Sequence, residues 1–274
     1  MKSLESIYES ILLENQNTND IDIELLNSCI NGKYAINDDG SIDVVGSVNL
    51  SSKKLTKIPF NFSKVSGNFK CTDNQLTSLE GAPNNVGGDF SCYDNQLTSL
   101  EGAPNTVGRG FYCINNQLTS LEGAPNTVGG YFECSSNQLT SLKGAPNTVG
   151  DNFYCTNNKL TSLEGSPNNV GGGFLCYNNQ LTSLEGAPNN VGGNFYCYHN
   201  QLTSLDGAPN NVGGGFYCYN NPNLPYSELF KIVNSVKGNI LHSSFNTLED
   251  KDKIRRDRDV KETLKDDELG SLDV

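Results

Sequence analysis

FYCINNQLTSLEGAPNTVGGY, residues Phe111–Tyr131, runs without a break into FECSSNQLTSLKGAPNTVGDN, residues Phe132–Asn152. The block recurs in both directions with its cysteine as marker: Cys71, Cys92, Cys113, Cys134, Cys155, Cys176, Cys197 and Cys218 each stand 21 residues after the last. A unit this short cannot bury its own apolar face. Stacked copies must bury one another's, which predicts a solenoid over about residues 48–224.

Within the block, F-x-C alternates with period two and reads as a strand, with Phe and Cys on one face and their neighbours on the other. Phe69 through Phe216 should stack as an inward column beside the cysteines. Leu76 through Leu202, Leu79 through Leu205 and Val65 through Val212 should supply the other walls of a thin core. An asparagine follows each Cys by three residues, Asn74 through Asn221, where the chain turns off the sheet. Its amide can satisfy backbone groups of its own and the next turn. Gly-Gly after most valines is read as supplying backbone conformations closed to other residues, and Gly-Ala-Pro as a tight return. Twenty-one residues leave no room for a helix on the outer side. The expected fold class is mainly β, a solenoid with one parallel strand per turn, no convex helices, and α-helical caps at both ends.

Residues 1–47 are expected to form the first cap, with helices near Leu4 to Leu13 and Ile21 to Ile30 before a strand-like Ser41 to Leu50. Residues 225–246 read as a C-terminal cap helix that starts at Pro225, carries Leu229, Phe230, Ile232, Val233 and Val236 as its apolar stripe, and ends at Gly238. Residues 247–274 contain the mixed-charge run EDKDKIRRDRDVKETLKDDE and are expected to be a mobile tail or a lone solvated helix.

The charge balance of 19 Lys plus Arg against 31 Asp plus Glu gives a net charge of -12, which argues against nucleic acid or an anionic membrane as partner. No stretch is long enough to cross a bilayer. The first residues, Met1 to Asn15, read as an amphipathic helix interrupted by glutamates instead of an apolar secretory leader, so the expected location is cytoplasmic. Inward residues on successive turns lie about 4.8 Å apart in a row, whereas a disulfide wants Cβ atoms near 3.8 Å and zinc wants four ligands around a point. The repeat cysteines are therefore expected to be reduced, core-filling thiols.

F-x-C-x-x-N-Q-L resembles the leucine-rich repeat motif L-x-L-x-x-N-x-L, with Phe and Cys in place of the first two leucines. It recurs in register eight times, and a divergent ninth copy stands at Val48-Asn49-Leu50-Ser51-Ser52-Lys53-Lys54-Leu55. The repeat is similar in length to the short class of secreted bacterial effectors. The wording NNQLTSLEGAP followed by VGG, preceded by INDDGSIDVVGSVNLSSKKLTKIP, resembles uncharacterised repeat proteins of large tailed bacteriophages and related bacteria. The resemblance implies the fold and names no activity. Effector ligases of this class carry a large catalytic domain after the solenoid, whereas about fifty residues follow it here.

Candidate chemistry is sparse. The two histidines, His199 and His242, stand in no nucleophile motif, and the glycine-rich turns lack the Lys-Ser/Thr of a phosphate-binding loop. The outward residues that flank each Cys are more informative: Ser91 and Tyr93, Tyr112 and Ile114, Glu133 and Ser135, Tyr154 and Thr156, Leu175 and Tyr177, Tyr196 and Tyr198, Tyr217 and Tyr219. Eight of the 12 tyrosines fall in these two columns, and they cluster toward the C-terminal turns. Tyrosine offers contact area and a polar tip at little entropic cost, although aromatic residues also suit strands for packing alone. A ladder of Glu80, Glu101, Glu122, Lys143, Glu164, Glu185 and Asp206 reads as a solvated edge.

The expected function is a non-catalytic scaffold, monomeric and without cofactor or metal. It would bind a protein partner on a concave face through Tyr93, Tyr112, Tyr154, Leu175, Tyr177, Tyr196, Tyr198, His199, Tyr217 and Tyr219. The alternatives are a structural component of a virion or assembly, and an effector delivered into another cell.

Overall fold

The computed structural model describes residues 22–242, 248–249 and 251–270. The helix expected at Leu4 to Leu13 lies outside them. The repeat builds a leucine-rich-repeat-like parallel β-solenoid of ten turns. In its main sheet Val48, Phe69 and Phe90 begin a register that continues through Phe216 to Ile240. The Phe strands are only two residues long, but the ladder continues past them. Cys113 N–H, for example, donates to the Glu133 carbonyl at 2.9 Å.

A second parallel ribbon runs through the valines, from Val44 beside Val65 to Val191 beside Val212, and ends in a bridge from Val212 to Val236. One strand per turn was expected, and the structure has two. The valine is apolar and the residue before it is exposed, so this pair also alternates, too briefly for periodicity alone to reveal a strand.

Between the sheets lies a core one side chain thick. The eight phenylalanines from Phe69 to Phe216 are fully buried and stack with centroids 5.1–5.5 Å apart and planes within 21°. The strand spacing of about 4.8 Å imposes that offset stack. The cysteine, leucine and valine columns are buried beside it.

Asparagine closes each turn. Asn137 Nδ2 donates to the carbonyls of Cys113 at 3.0 Å and Cys134 at 3.1 Å, while its Oδ1 accepts from Leu118 N–H at 3.0 Å. The partners belong to its own and the preceding turn, where the next turn had been expected. One residue before each Asn the backbone is left-handed, with φ of 51–56° from Asp73 through His199 to Asn220. That requirement explains why the position is mostly Asn or Asp.

The glycines divide the work differently from the sequence reading. The positive φ belongs to the glycine of Gly-Ala-Pro, such as Gly144 at 86°. The first glycine after each valine is needed because turns approach closely there. A Cβ on Gly129 would lie 2.2 Å from the Gly108 carbonyl oxygen.

At the N-terminal end, helix α1 (Ile23–Cys29) is capped by Asp22, whose Oδ1 accepts from Leu25 N–H at 2.9 Å. It leads into an antiparallel hairpin, β1 (Ile30–Ile36) with β2 (Ile42–Asn49). β2 pairs with Phe62–Val65 and with Phe69–Lys70, so one hairpin lies over the ends of both ribbons. The helix expected up to Ile30 is thus shorter, and β1 was not anticipated. Its signal was present in Asn37-Asp38-Asp39-Gly40, a turn in which Asp39 accepts from Ser41 N–H at 2.9 Å and Gly40 takes φ of 78°.

At the other end, Tyr226–Lys231 is a 3-10 helix where a longer α-helix was expected. The chain has only eleven residues after Pro225 in which to return Val236 beside Val212, and that leaves room for tight turns alone. Leu229, Ile232, Val233 and Val236 nevertheless bury the expected apolar stripe. Ile240–Leu241 continues the main sheet and pairs antiparallel with Leu248–Glu249. The charged run is not a lone helix. It forms α2 (Lys251–Gly270), which seats Ile254 in the core and donates from Lys251 Nζ to the carbonyls of Val236, Lys237 and Gly238 at 2.8–3.2 Å. These first-turn anchors are joined further along by Asp257, which accepts from the Tyr226 hydroxyl at 3.3 Å, in a helix whose sequence otherwise reads as solvated.

Candidate functional site: the tyrosine face

Residues on either side of each inward Cys form two outward columns on the main sheet. The strand register brings Tyr112, Glu133, Tyr154, Leu175, Tyr196 and Tyr217 into the first. The second carries Tyr93, Ile114, Ser135, Thr156, Tyr177, Tyr198 and Tyr219. On the last turns the rings stack on one another. Tyr177 and Tyr198 lie 4.4 Å apart with planes at 9°, Tyr198 and Tyr219 lie 4.5 Å apart at 6°, and Tyr196 and Tyr217 lie 4.6 Å apart at 13°. An edge contact of 6.3 Å between Tyr196 and Tyr198 joins the two rows.

Tyr198 is stacked on both faces, and each of the other four tyrosines on one. Their conformation is set before any partner arrives. Each ring of the first column is also fixed from below. Asn194 Nδ2 donates to the Tyr196 hydroxyl at 2.8 Å, and Tyr217 packs over Gly215, where a Cβ would lie 2.8 Å from the ring. These supports stand two residues before each tyrosine and were not singled out from the sequence, which shows a strand neighbour without the direction in which its ring bends. The Tyr198 hydroxyl is held well above the ordinary phenol range by burial and by the neighbouring Tyr177 and Tyr219. Burial also raises the Tyr217 and Tyr219 hydroxyls.

The other named residues are more scattered. Tyr93 stands 38% exposed at the N-terminal end of its column, and Leu175 is half-buried between Tyr154 and Tyr196. His199 is an exposed turn residue, at φ of 51°, with its ring edge-on to Tyr198 and Tyr219 and its Nε2 3.1 Å from Asn220 Nδ2. It adjoins the tyrosine rows at the strand exit.

All nine cysteines are buried with free thiols. The Cys71 thiol is pushed up to about 12 by desolvation, and burial raises the other repeat thiols that show a shift in the same direction. The six from Cys71 to Cys176 point toward backbone carbonyls, as Cys134 Sγ does toward Tyr154 O at 3.3 Å. Such thiols are poor nucleophiles and poor ligands. Among the described residues no group of three or more His, Cys, Asp or Glu side chains is placed to hold a metal ion, and no helix is long and apolar enough to cross a membrane. The acidic ladder is exposed along one edge, with Lys143 paired to Glu164 at 3.2 Å and Asp206 paired to Lys231 at 2.7 Å.

No family model matches the chain, and no curated protein sequence matches it. Among solved structures, the leucine-rich-repeat domain of a Shigella effector is similar at 20% identity and a TM-score of 0.47, covering 72% of this chain and 81% of that one. YopM from Yersinia enterocolitica is similar at 17% identity and a TM-score of 0.36, covering 71% of this chain and 52% of its own.

Proposed function

We propose that this protein is a non-catalytic protein-binding scaffold whose recognition surface is the tyrosine face of the main sheet, centred on Tyr177, Tyr196, Tyr198, Tyr217 and Tyr219. The observation that supports this reading is the pair of stacked rows, with ring separations of 4.4–4.6 Å. The rings are ordered in advance, so a partner meets a wide amphipathic surface without having to immobilise it. Tyr93, Tyr112, Tyr154, Leu175 and His199 extend the same surface toward the first turns and the strand exits.

The competing reading is a structural spacer within an assembly such as a virion, in which the rings only reinforce the sheet. Delivery into another cell is the binding reading in a different place, and the likeness to effector domains is one of fold. The comparison that separates binding from a spacer is Tyr198→Ala plus Tyr219→Ala against Asn189→Ala plus Asn210→Ala, an exposed pair on successive turns. Partners would be captured from the native host and their affinities measured with each variant. Binding through the face predicts that the tyrosine pair weakens the captured partner by roughly tenfold or more while the asparagine pair does not. An unchanged affinity in the tyrosine pair would move the assignment to the structural role.

A further inference from the structure

Tyr112 and Tyr154 differ from the stacked tyrosines in one respect. They occupy the same column as Tyr196 and Tyr217, but a whole turn separates them, and Glu133 stands in that turn. Their supports match those of the stacked pair. Tyr112 packs over Gly110 as Tyr217 packs over Gly215, and Asn152 Nδ2 donates to the Tyr154 hydroxyl at 2.8 Å as Asn194 does to Tyr196. Set two turns apart in register, the two tyrosines flank a slot of roughly 9.6 Å around Glu133. Tyr131, 39% exposed, stands beside it, its ring 6.3 Å from that of Tyr154.

The slot is acidic. Glu133 is half-buried between the tyrosines, and that burial raises its carboxyl above the usual range. Burial, then Asp89 and Glu133, raise the Tyr112 hydroxyl, and Asp151 raises that of Tyr131. Among the described residues no Lys or Arg pairs with Glu133, Asp89 or Asp151. A desolvated carboxylate without a counter-ion is costly, and ring faces attract positive charge. A cation midway between the rings would lie about 5 Å from each, within the reach of a cation–π contact.

We infer that the slot formed by Tyr112, Glu133 and Tyr154, with Tyr131 at its side, receives a cationic side chain, the ammonium of a lysine or the guanidinium of an arginine, from the protein that binds the tyrosine face. This rests on the proposed function and adds the chemistry of the partner: a basic residue seated about two turns from the stacked rows, with the stacked rows themselves taking uncharged contacts. It also gives the net charge of -12 a local meaning.

The test uses the full chain with ring-labelled tyrosine, titrated with the Nα-acetyl N-methylamides of lysine, arginine and, as neutral isostere, norleucine. The expected result is a saturable shift of the Tyr112 and Tyr154 ring signals with lysine and arginine only, weakened about tenfold in Glu133→Gln. The Glu133→Gln chain should melt with the parent, which separates lost binding from lost folding. Equal shifts from norleucine, or shifts that Glu133→Gln leaves unchanged, overturn the assignment, as does the absence of any saturable shift. Because the probes are small cations and no natural partner is used, this experiment can fail while the Tyr198 and Tyr219 comparison succeeds.

Discussion

Glu228 supplies to Leu205, from its side chain, a bond that the backbone supplies in the five preceding turns. In successive turns the second leucine donates its N–H to the carbonyl 22 residues on, Leu121 to Lys143 and Leu184 to Asp206 among them. Leu205 has no further repeat to donate to, and it donates to Glu228 Oε2 at 2.8 Å. Lys231 holds that carboxylate at 2.7 Å.

Replacing Glu228 with Ala should therefore cost about 1–2 kcal/mol, the penalty for a largely buried N–H left without an acceptor. Glu228→Gln keeps an acceptor oxygen and should recover much of the loss. Thermal melts of the two variants check this, and equal destabilisation by both would show that the ion pair with Lys231 matters more than the bond to Leu205.

Removing one ladder asparagine should be among the most damaging single changes. Asn137→Ala leaves the Leu118 N–H unpaired in the interior and takes one of two donors from each of the Cys113 and Cys134 carbonyls, which keep Asn116 and Asn158, a loss of about 2–3 kcal/mol. Asn137→Asp should be no milder, because a carboxylate cannot donate to two carbonyls. Urea unfolding measures both.

Glycine substitutions should sort by mechanism. Gly40→Ala meets nothing within 4 Å and incurs only the strain of a φ of 78°, about 1 kcal/mol. Gly129→Ala puts a methyl group against the Gly108 carbonyl and must push two turns apart, for a markedly larger loss. A stability difference of the opposite sign would mean that the turns are looser than the close approach implies.

The thiols give stability a dependence on alkaline pH. The folded pKa of the thiols from Cys71 to Cys197 is raised, to about 12 at Cys71, so the unfolded chain releases these protons first. Stability is fully present below about pH 8.5 and falls as pH rises toward the folded value, by up to about 1.4 kcal/mol per thiol per pH unit. Urea midpoints should drop steeply between pH 8 and pH 10, and a thiol reagent should label the repeat cysteines only after unfolding. Rapid labelling of several repeat cysteines in the native protein would contradict their burial.

The repeat itself could be read in one dimension. A 21-residue period with Phe, Cys, Leu and Val at constant positions has one economical solution, because each column can be buried only by its copy in the next turn. The inward Phe and Cys, the turn-closing Asn and the outward position of the tyrosines follow from that period and from strand alternation. Three-dimensional packing decided what depends on distances between turns: the second ribbon at the valines, the glycines needed for close approach, and the use of Glu228 and Lys251 to satisfy the last turn. It also decided the character of the tyrosine face. Whether neighbouring rings stack, as Tyr196 and Tyr217 do, or leave a slot, as Tyr112 and Tyr154 do around Glu133, depends on which way each ring bends from its strand. That direction is set by the residue beneath the ring and by the adjacent turn. A linear pattern carries the identities of these neighbours but not the contacts between them.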